Sequence, residues 1–244
     1  MMFELAGGRL RVMGTLHLLP VGKTVPAWVR SAYEWSEAVF VEHSPGEFVD
    51  RATSDGAEKC PRASPELLAR LRQTAWSTNT QPPLVQWRRG AAVVMALASR
   101  LSGSPGADQA LHDWCAQQGK PFGYIEQASD VLDLLDAIEE ADWRAGIAAE
   151  LARPGTPALQ LQQFYDAWRK GRMEVIAKEA REGLFSVPGI RERMLTGRNA
   201  AWAAPFTEPG RRSLVAVGAA HLVGPGNFLE EIARVSGRPL TRIV

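Results

Sequence analysis

Two histidines and two glutamates stand where apolar runs of strand length end. His17 follows the run 10–13 and Gly14. Glu42 closes 38–41 and Glu126 closes 120–125. His221 follows 213–217 and Gly218. In open α/β sheets, ligands bind outside the carboxyl ends of the strands. If these runs are parallel neighbours, two imidazoles and two carboxylates converge on one crevice, a set suited to holding a divalent metal or to acid–base chemistry. Gly14 and Gly218 each precede a histidine by three residues. Without a Cβ the chain can turn sharply at a strand end and approach a ligand closely. A lone histidine in such a place often does no more than hydrogen-bond a loop carbonyl; two in matched settings point to a site. By strand alternation His43 points to the opposite face from Glu42. His112 sits among Leu111, Trp114 and Cys115 and reads as structural or exposed.

The elements that must position these residues repeat. In 1–44 a strand, Gly-x-x-His, a turn, a helix opened by Pro26 and a second strand follow one another. In 212–244 the order recurs, with Gly224-Pro225-Gly226 as the turn, Asn227 as helix cap and 239–244 as closing strand. We read a duplicated unit whose right-handed crossovers lay both strand pairs parallel in one sheet. On this reading the helix at 228–235 covers the same face as that at 26–37. Between the two units, 60–205 reads as a mostly helical insert with patterns at 65–72, 84–101, 108–118, 129–151, 157–183 and 188–203. Pro82-Pro83, Ser104-Pro105-Gly106, Pro154-Gly155 and Pro188-Gly189 punctuate it, and a short strand interrupts it at 120–126. The expected fold is α/β in a single domain, 1–244, with a mixed, largely parallel sheet.

Composition narrows the function. The 244 residues are 45% hydrophobic and 23% charged, as in ordinary globular chains. Lys+Arg number 28 against 27 Asp+Glu, a net charge of +1, which argues against nucleic acid as a partner. The longest apolar run, about 90–99, is half of the ~20 residues a membrane span needs. Residues 1–8 lack the basic stretch and apolar run of a leader, so a cytoplasmic location is expected. Cys60 and Cys115 cannot build a disulfide framework. His-Glu-x-x-His, Gly-x-Ser-x-Gly, phosphate-loop and Cys-x-x-Cys motifs are all missing.

With these residues in place, the chain resembles the TraB/GumN family, which includes the Tiki metalloproteases. Val12-Met13-Gly14-Thr15-Leu16-His17-Leu18-Leu19-Pro20 is similar to the family's first Gly-x-x-His motif. Val217-Gly218-Ala219-Ala220-His221-Leu222-Val223-Gly224-Pro225-Gly226 is similar to the second. Val39-Phe40-Val41-Glu42 resembles its strand ending in glutamate. Gly119-Lys120-Pro121-Phe122-Gly123-Tyr124-Ile125-Glu126 resembles its Gly-Lys-Pro segment, with Gln127 where Thr is usual. Gly197-Arg198-Asn199-Ala200-Ala201-Trp202-Ala203 resembles its Arg-Asn helix. Asp108 resembles the family's Gly-x-Asp helix start and reads as a cap.

The resemblance implies a divalent-metal-dependent hydrolase, acting on peptide or amide bonds in the Tiki branch. His17 and His221 would ligate the metal. Glu42 would be a ligand or general base, and Glu126 a second carboxylate. Arg198 would stabilise an oxyanion, with Asn199 as a neutral donor, or else pair with the carboxylates. Mn, Co, Zn or Fe would suit such a site. The expected partner is a peptide or small-molecule substrate. The competing reading is a non-catalytic protein that binds a small molecule, peptide or haem in the same cleft.

Overall fold

In the computed structural model, which describes residues 1–53, 60–74 and 84–244, short apolar runs become strands and amphipathic runs become helices. β1 (Met2–Leu5) and β2 (Leu10–Thr15) are joined through Gly7 and Gly8, both at positive φ. Next come β3 (Leu18–Pro20), α1 (Ala27–Trp35), β4 (Ala38–Val41) and α2 (Pro45–Thr53). Then follow α3 (Pro65–Thr74), α4 (Arg89–Ala98), β5 (Gly103–Pro105), α5 (Ala107–Gln118) and β6 (Phe122–Tyr124). α6 (Ala128–Asp136), α7 (Glu140–Leu151), α8 (Pro157–Arg169), α9 (Met173–Glu179) and α10 (Pro188–Arg191) make up most of the helical middle. A π-turn, Glu192–Thr196, links α10 to α11 (Gly197–Ala203). β7 (Ser213–Gly218), α12 (Phe228–Ser236) and β8 (Leu240–Arg242) close the fold. The Pro82-Pro83 break expected ahead of 84–101 lies outside the described residues.

The sheet is six-stranded in the order β6-β4-β7-β2-β1-β8. β2, β7, β4 and β6 pair in parallel, with Thr15 opposite Gly218 and Val41 opposite both Ala216 and Tyr124. The four strand ends that carry the candidate residues are therefore contiguous. β1 runs antiparallel between β2 and β8, so β8 runs in the direction of β7. The fold is the expected α/β arrangement with a mixed, largely parallel sheet. Sequence reading had not foreseen β1, nor the small ribbon of β3 with β5.

The expected common face for the two crossover helices is overturned. Val39 lies opposite Phe122 and Phe40 opposite Gly123, so Phe40 and Phe122 point to different faces. Phe122 packs on His112 of α5, whose Trp114 packs on Tyr33 of α1. Phe40 packs on Phe206, just beyond α11, and Trp202 of α11 packs on Phe228 of α12. α1 and α12 therefore cover opposite faces. The reason is topological. β2 crosses to β4 toward one edge of the sheet and β7 crosses to β8 toward the other, so two crossovers of one hand must lie on opposite sides. The units share strand, Gly-x-x-His and helix, but only the second helix has a side-chain cap, and they do not superimpose as wholes.

Two long helical patterns are broken. Residues 129–151 divide between α6 and α7 because Arg89 Nη2 caps the carbonyls of Asp136 and Ile138 at 2.8 and 2.9 Å. Residues 157–183 divide at Gly171, which adopts φ 64°. The buried residues form two clusters. One surrounds the sheet, with Leu10, Val215, Trp168 and Phe228 in it. The other lies among α2, α3, α4, α6 and α7, around Leu71, Trp143 and Ile147. Among the described residues, no helix is long and apolar enough to cross a membrane.

Candidate active site

Glu42 is the hub. It follows β4, its side chain is buried, and its Oε1 accepts the Gly218 N–H at 2.6 Å. The Nε2 atoms of His17 and His221 lie 3.9 and 3.8 Å from that same oxygen. The two imidazoles therefore face one cleft, as the paired motifs predict. Gly218 has φ −51° and is under no backbone strain. What it supplies is space, since a Cβ there would stand 3.1 Å from Glu42 Oε1 and 3.4 Å from His17 Nε2.

Each histidine is held through its Nδ1. His17 lies in the loop after β2, with its side chain 62% exposed, and donates to Asp108 Oδ2 at 2.8 Å. The loop is pinned to the start of α5, where Gly106 N–H and Ala107 N–H donate to His17 O and Leu16 O, both at 2.9 Å. A Cβ at Gly106 would overlap the Leu16 carbonyl, so a side chain there would break the pin. His221 is buried in a short turn after β7. Its Nδ1 meets Asn199 Oδ1 at 2.7 Å, and Asn199 Nδ2 donates to Gly226 O at 2.8 Å. That second bond leaves Oδ1 as the acceptor, so His221 carries its proton on Nδ1 and turns the Nε2 lone pair toward Glu42.

Arg198 spans the two carboxylates. Its Nη2 donates to Glu42 Oε2 at 2.7 Å and also to Glu126 Oε1, and its Nε donates to both Glu126 oxygens at 3.2 and 3.3 Å. Its Nη1 donates to Met194 O at 3.1 Å and lies 3.5 Å from His221 Nε2. Of the two roles the resemblance allows Arg198, the ion pair is the one this geometry contains. Its N–H groups are engaged within the site, as is the amide of Asn199. Glu126 contacts Arg198 and accepts from Trp202 Nε1 at 3.0 Å, but makes no bond to either histidine. The π-turn before α11 brings Arg198 and Asn199, neighbours in sequence, both into the cleft, in keeping with the frequency of such turns at functional sites.

These surroundings divide the titratable groups. The Asp108 carboxylate, supported by Glu42, raises His17 to about 9 against its partial desolvation. Burial lowers His221 to about 3 despite Glu42 nearby, so its ring is neutral at pH 7. For Glu42, burial works to raise the pKa. Arg198, the two imidazoles and the Gly218 N–H outweigh it and hold the carboxyl well below the usual range. Burial raises Glu126, with Arg198 opposing.

The sequence model of the TraB/PrgY/gumN family matches residues 2–235. The chain belongs to this family. No curated protein and no solved structure matches it. The family match runs from β1 into α12 and so takes in the four strand ends that carry His17, Glu42, Glu126 and His221.

The family resemblance implies a divalent metal, and the cleft offers a donor set for one. Two imidazole Nε2 atoms, each with Nδ1 tied to an acceptor, and one carboxylate oxygen are suitable donors with outer partners of the usual kind. Among the described residues, no three His, Cys, Asp or Glu side chains already stand grouped as ligands of one ion. The gaps of 3.8 and 3.9 Å exceed by a few tenths the ~3.4 Å between ligands of a tetrahedral ion. The donor chemistry fits an ion once each imidazole moves closer to the carboxylate.

Sequence reading passed over two residues. Asp108, expected as a helix cap, makes no cap bond, because Gly106 is the residue that precedes α5, and nothing local ties it to a histidine 91 residues away. Trp202 lies one helical turn after Arg198, which could have marked it. It stacks with the Arg198 guanidinium at 4.5 Å and with the His221 ring at 4.7 Å.

Proposed function

We propose that this cleft hydrolyses peptide or amide bonds with the help of one divalent ion held by His17, His221 and Glu42. The observation that carries the reading is the approach of both Nε2 atoms to within 4 Å of Glu42 Oε1. A bound divalent ion supplies a water acidified toward pKa ~7 and polarisation of the scissile carbonyl. The chain supplies the rest. His221 presents its Nε2 lone pair to the cleft, where Arg198 Nη1 approaches it at 3.5 Å, because Asn199 holds the proton on Nδ1. His17 is aimed by Asp108 and gives up its Nε2 proton when it ligates. Glu42, kept ionised by Arg198, brings negative charge to the cation. Of the two carboxylates, Glu126 binds a proton more readily, since burial raises it. A proton taken there leaves Arg198 paired with Glu42.

A second reading is favoured by one observation. Arg198 already pairs with both buried carboxylates, so part of their charge is met without a metal. On that reading the cleft binds a small molecule, peptide or haem and performs no hydrolysis.

Titration of chelator-treated protein with Mn, Co and Zn distinguishes the two. A ligand that binds only the folded form raises its thermal midpoint. Hydrolase chemistry predicts such a rise in wild type, its loss in the His17→Ala/His221→Ala double variant, and peptide cleavage reduced at least ~100-fold in either single variant. No thermal response to any of the three metals, in a protein that still binds peptide, would favour the second reading.

A further inference from the structure

A cleft of about 450 Å³ opens between α6 and the segment formed by the π-turn and α11. Ile125, Leu134, Ala201 and Trp202 form its walls, and Glu126 with Arg198 forms its inner end. The Arg198 guanidinium stands between this cleft and Glu42, donating to carboxylates on both sides. The cleft therefore begins one side chain away from the atoms assigned to the reaction. The charged Asp130, Glu192 and Arg193 are exposed at the lip and keep their heads in water, which leaves the interior walls apolar. Largely apolar walls with a few convergent polar groups are what a small-molecule or side-chain site needs, and the volume falls in the range such sites occupy.

We propose that this cleft is the specificity subsite for a large apolar side chain, aromatic or branched aliphatic, of the substrate. The inference rests on the peptide or amide reading of the neighbouring site, and it adds the side-chain class. The polar inner end is saturated by the Arg198–Glu126 pair. The Arg198 N–H groups are already engaged, so an anionic side chain entering the cleft would find no free donor there, whereas an apolar one exchanges water for Trp202, Leu134 and Ile125. Ala201 opens the cleft because its side chain is a single methyl. A large residue at 201 would occupy the space.

Binding to the chelator-treated full chain tests this without any need for turnover. The probes are N-acetyl-phenylalanine amide and N-acetyl-glycine amide. The reporter is the indole N–H resonance of Trp202, assigned by its loss in Trp202→Phe. The phenylalanine amide should shift that resonance saturably and the glycine amide should not. Ala201→Trp should weaken the phenylalanine amide about tenfold or more, the worth of burying one large side chain. Leu134→Ala, which removes a wall without filling the space, should weaken it to a lesser degree. Equal responses to the two amides, or unchanged binding in Ala201→Trp, would overturn the subsite. Hydrolysis of a peptide mixture is measured alongside. Selective cleavage next to Phe, Leu or Trp that is lost in Ala201→Trp supports the subsite. No cleavage at all, with the phenylalanine-selective shift intact, overturns the hydrolase reading and retains the pocket.

Discussion

Asp108, an anion, holds the Nδ1–H of His17, while Asn199, a neutral amide, holds that of His221 in a buried setting, and the two rings are driven apart in basicity as a result. Pairs of titratable groups pushed in opposite directions mark sites prepared for proton transfer or ligation. In chelator-treated protein, ring resonances followed by NMR should show His17 titrating near pH 9. Asp108→Asn should bring it back toward the ordinary ~6.5. The linkage signs are opposite for the two. The folded-state value of His17 is raised, so its contribution to stability is complete below about pH 6.5 and fades as pH climbs through 9. It is small, because the ring is mostly exposed. The value of His221 is lowered, so stability is lost as pH falls from about 6.5 toward 3. Denaturant midpoints measured across that acid range should fall steeply in wild type and less steeply in His221→Gln.

Gly218 and the π-turn act as elements, placing groups they do not themselves supply. Gly218→Ala should unfold at most ~1–3 kcal/mol more easily in a denaturant titration, the usual cost of overpacking. It should nonetheless abolish the metal-induced thermal shift, because the added methyl crowds both Glu42 and His17. How far the sequence could be read follows the same boundary between local and distant. The Gly-x-x-His ends, Glu42 after β4 and the Asn227 cap were legible because each is set by its own neighbours. Asn227 does accept from Leu229 and Glu230 N–H at 3.0 and 3.1 Å. β1 carried a Gly7-Gly8 hairpin signal that was passed over. The break between α6 and α7 had no local signal, since the cap comes from Arg89. The opposite faces of α1 and α12 depend on strand order, which no local pattern specifies.

At the scale of the molecule, Arg198 ties the helical segment to the sheet. It is buried between two buried carboxylates, one at the end of β4 and one just beyond β6. Removing one partner of a buried ion pair leaves an uncompensated charge, at a cost of ~3–5 kcal/mol. Arg198→Met, measured by denaturant titration, should be destabilised by about that amount. Arg198→Lys should recover only part of it, since one ammonium cannot reproduce the forked contacts to Glu42 and Glu126. If Arg198→Met is as stable as wild type, the ion pair is not what joins the two parts.

The Arg198–Glu126 pair also closes a loop, because the chain leaves the cleft at Glu126 and returns to it at Arg198 after 72 positions. The entropy of closing a loop grows only with the logarithm of its length, about 0.6 kcal/mol for each doubling. Insertions or deletions in the connections between the helices of this stretch are therefore cheap for folding, provided the ends still meet, Trp143 and Ile147 stay in their buried cluster and Trp168 keeps its bond to the Gly14 carbonyl. The same stretch carries Leu134, one wall of the side-chain cleft, on α6. Natural selection can thus lengthen, shorten or re-face this segment and alter what the cleft admits, while the four strand ends beneath it stay as they are. The stretch from α6 to α10 is where relatives of this chain should diverge first in length, and the Glu126–Arg198 closure is where they should diverge last.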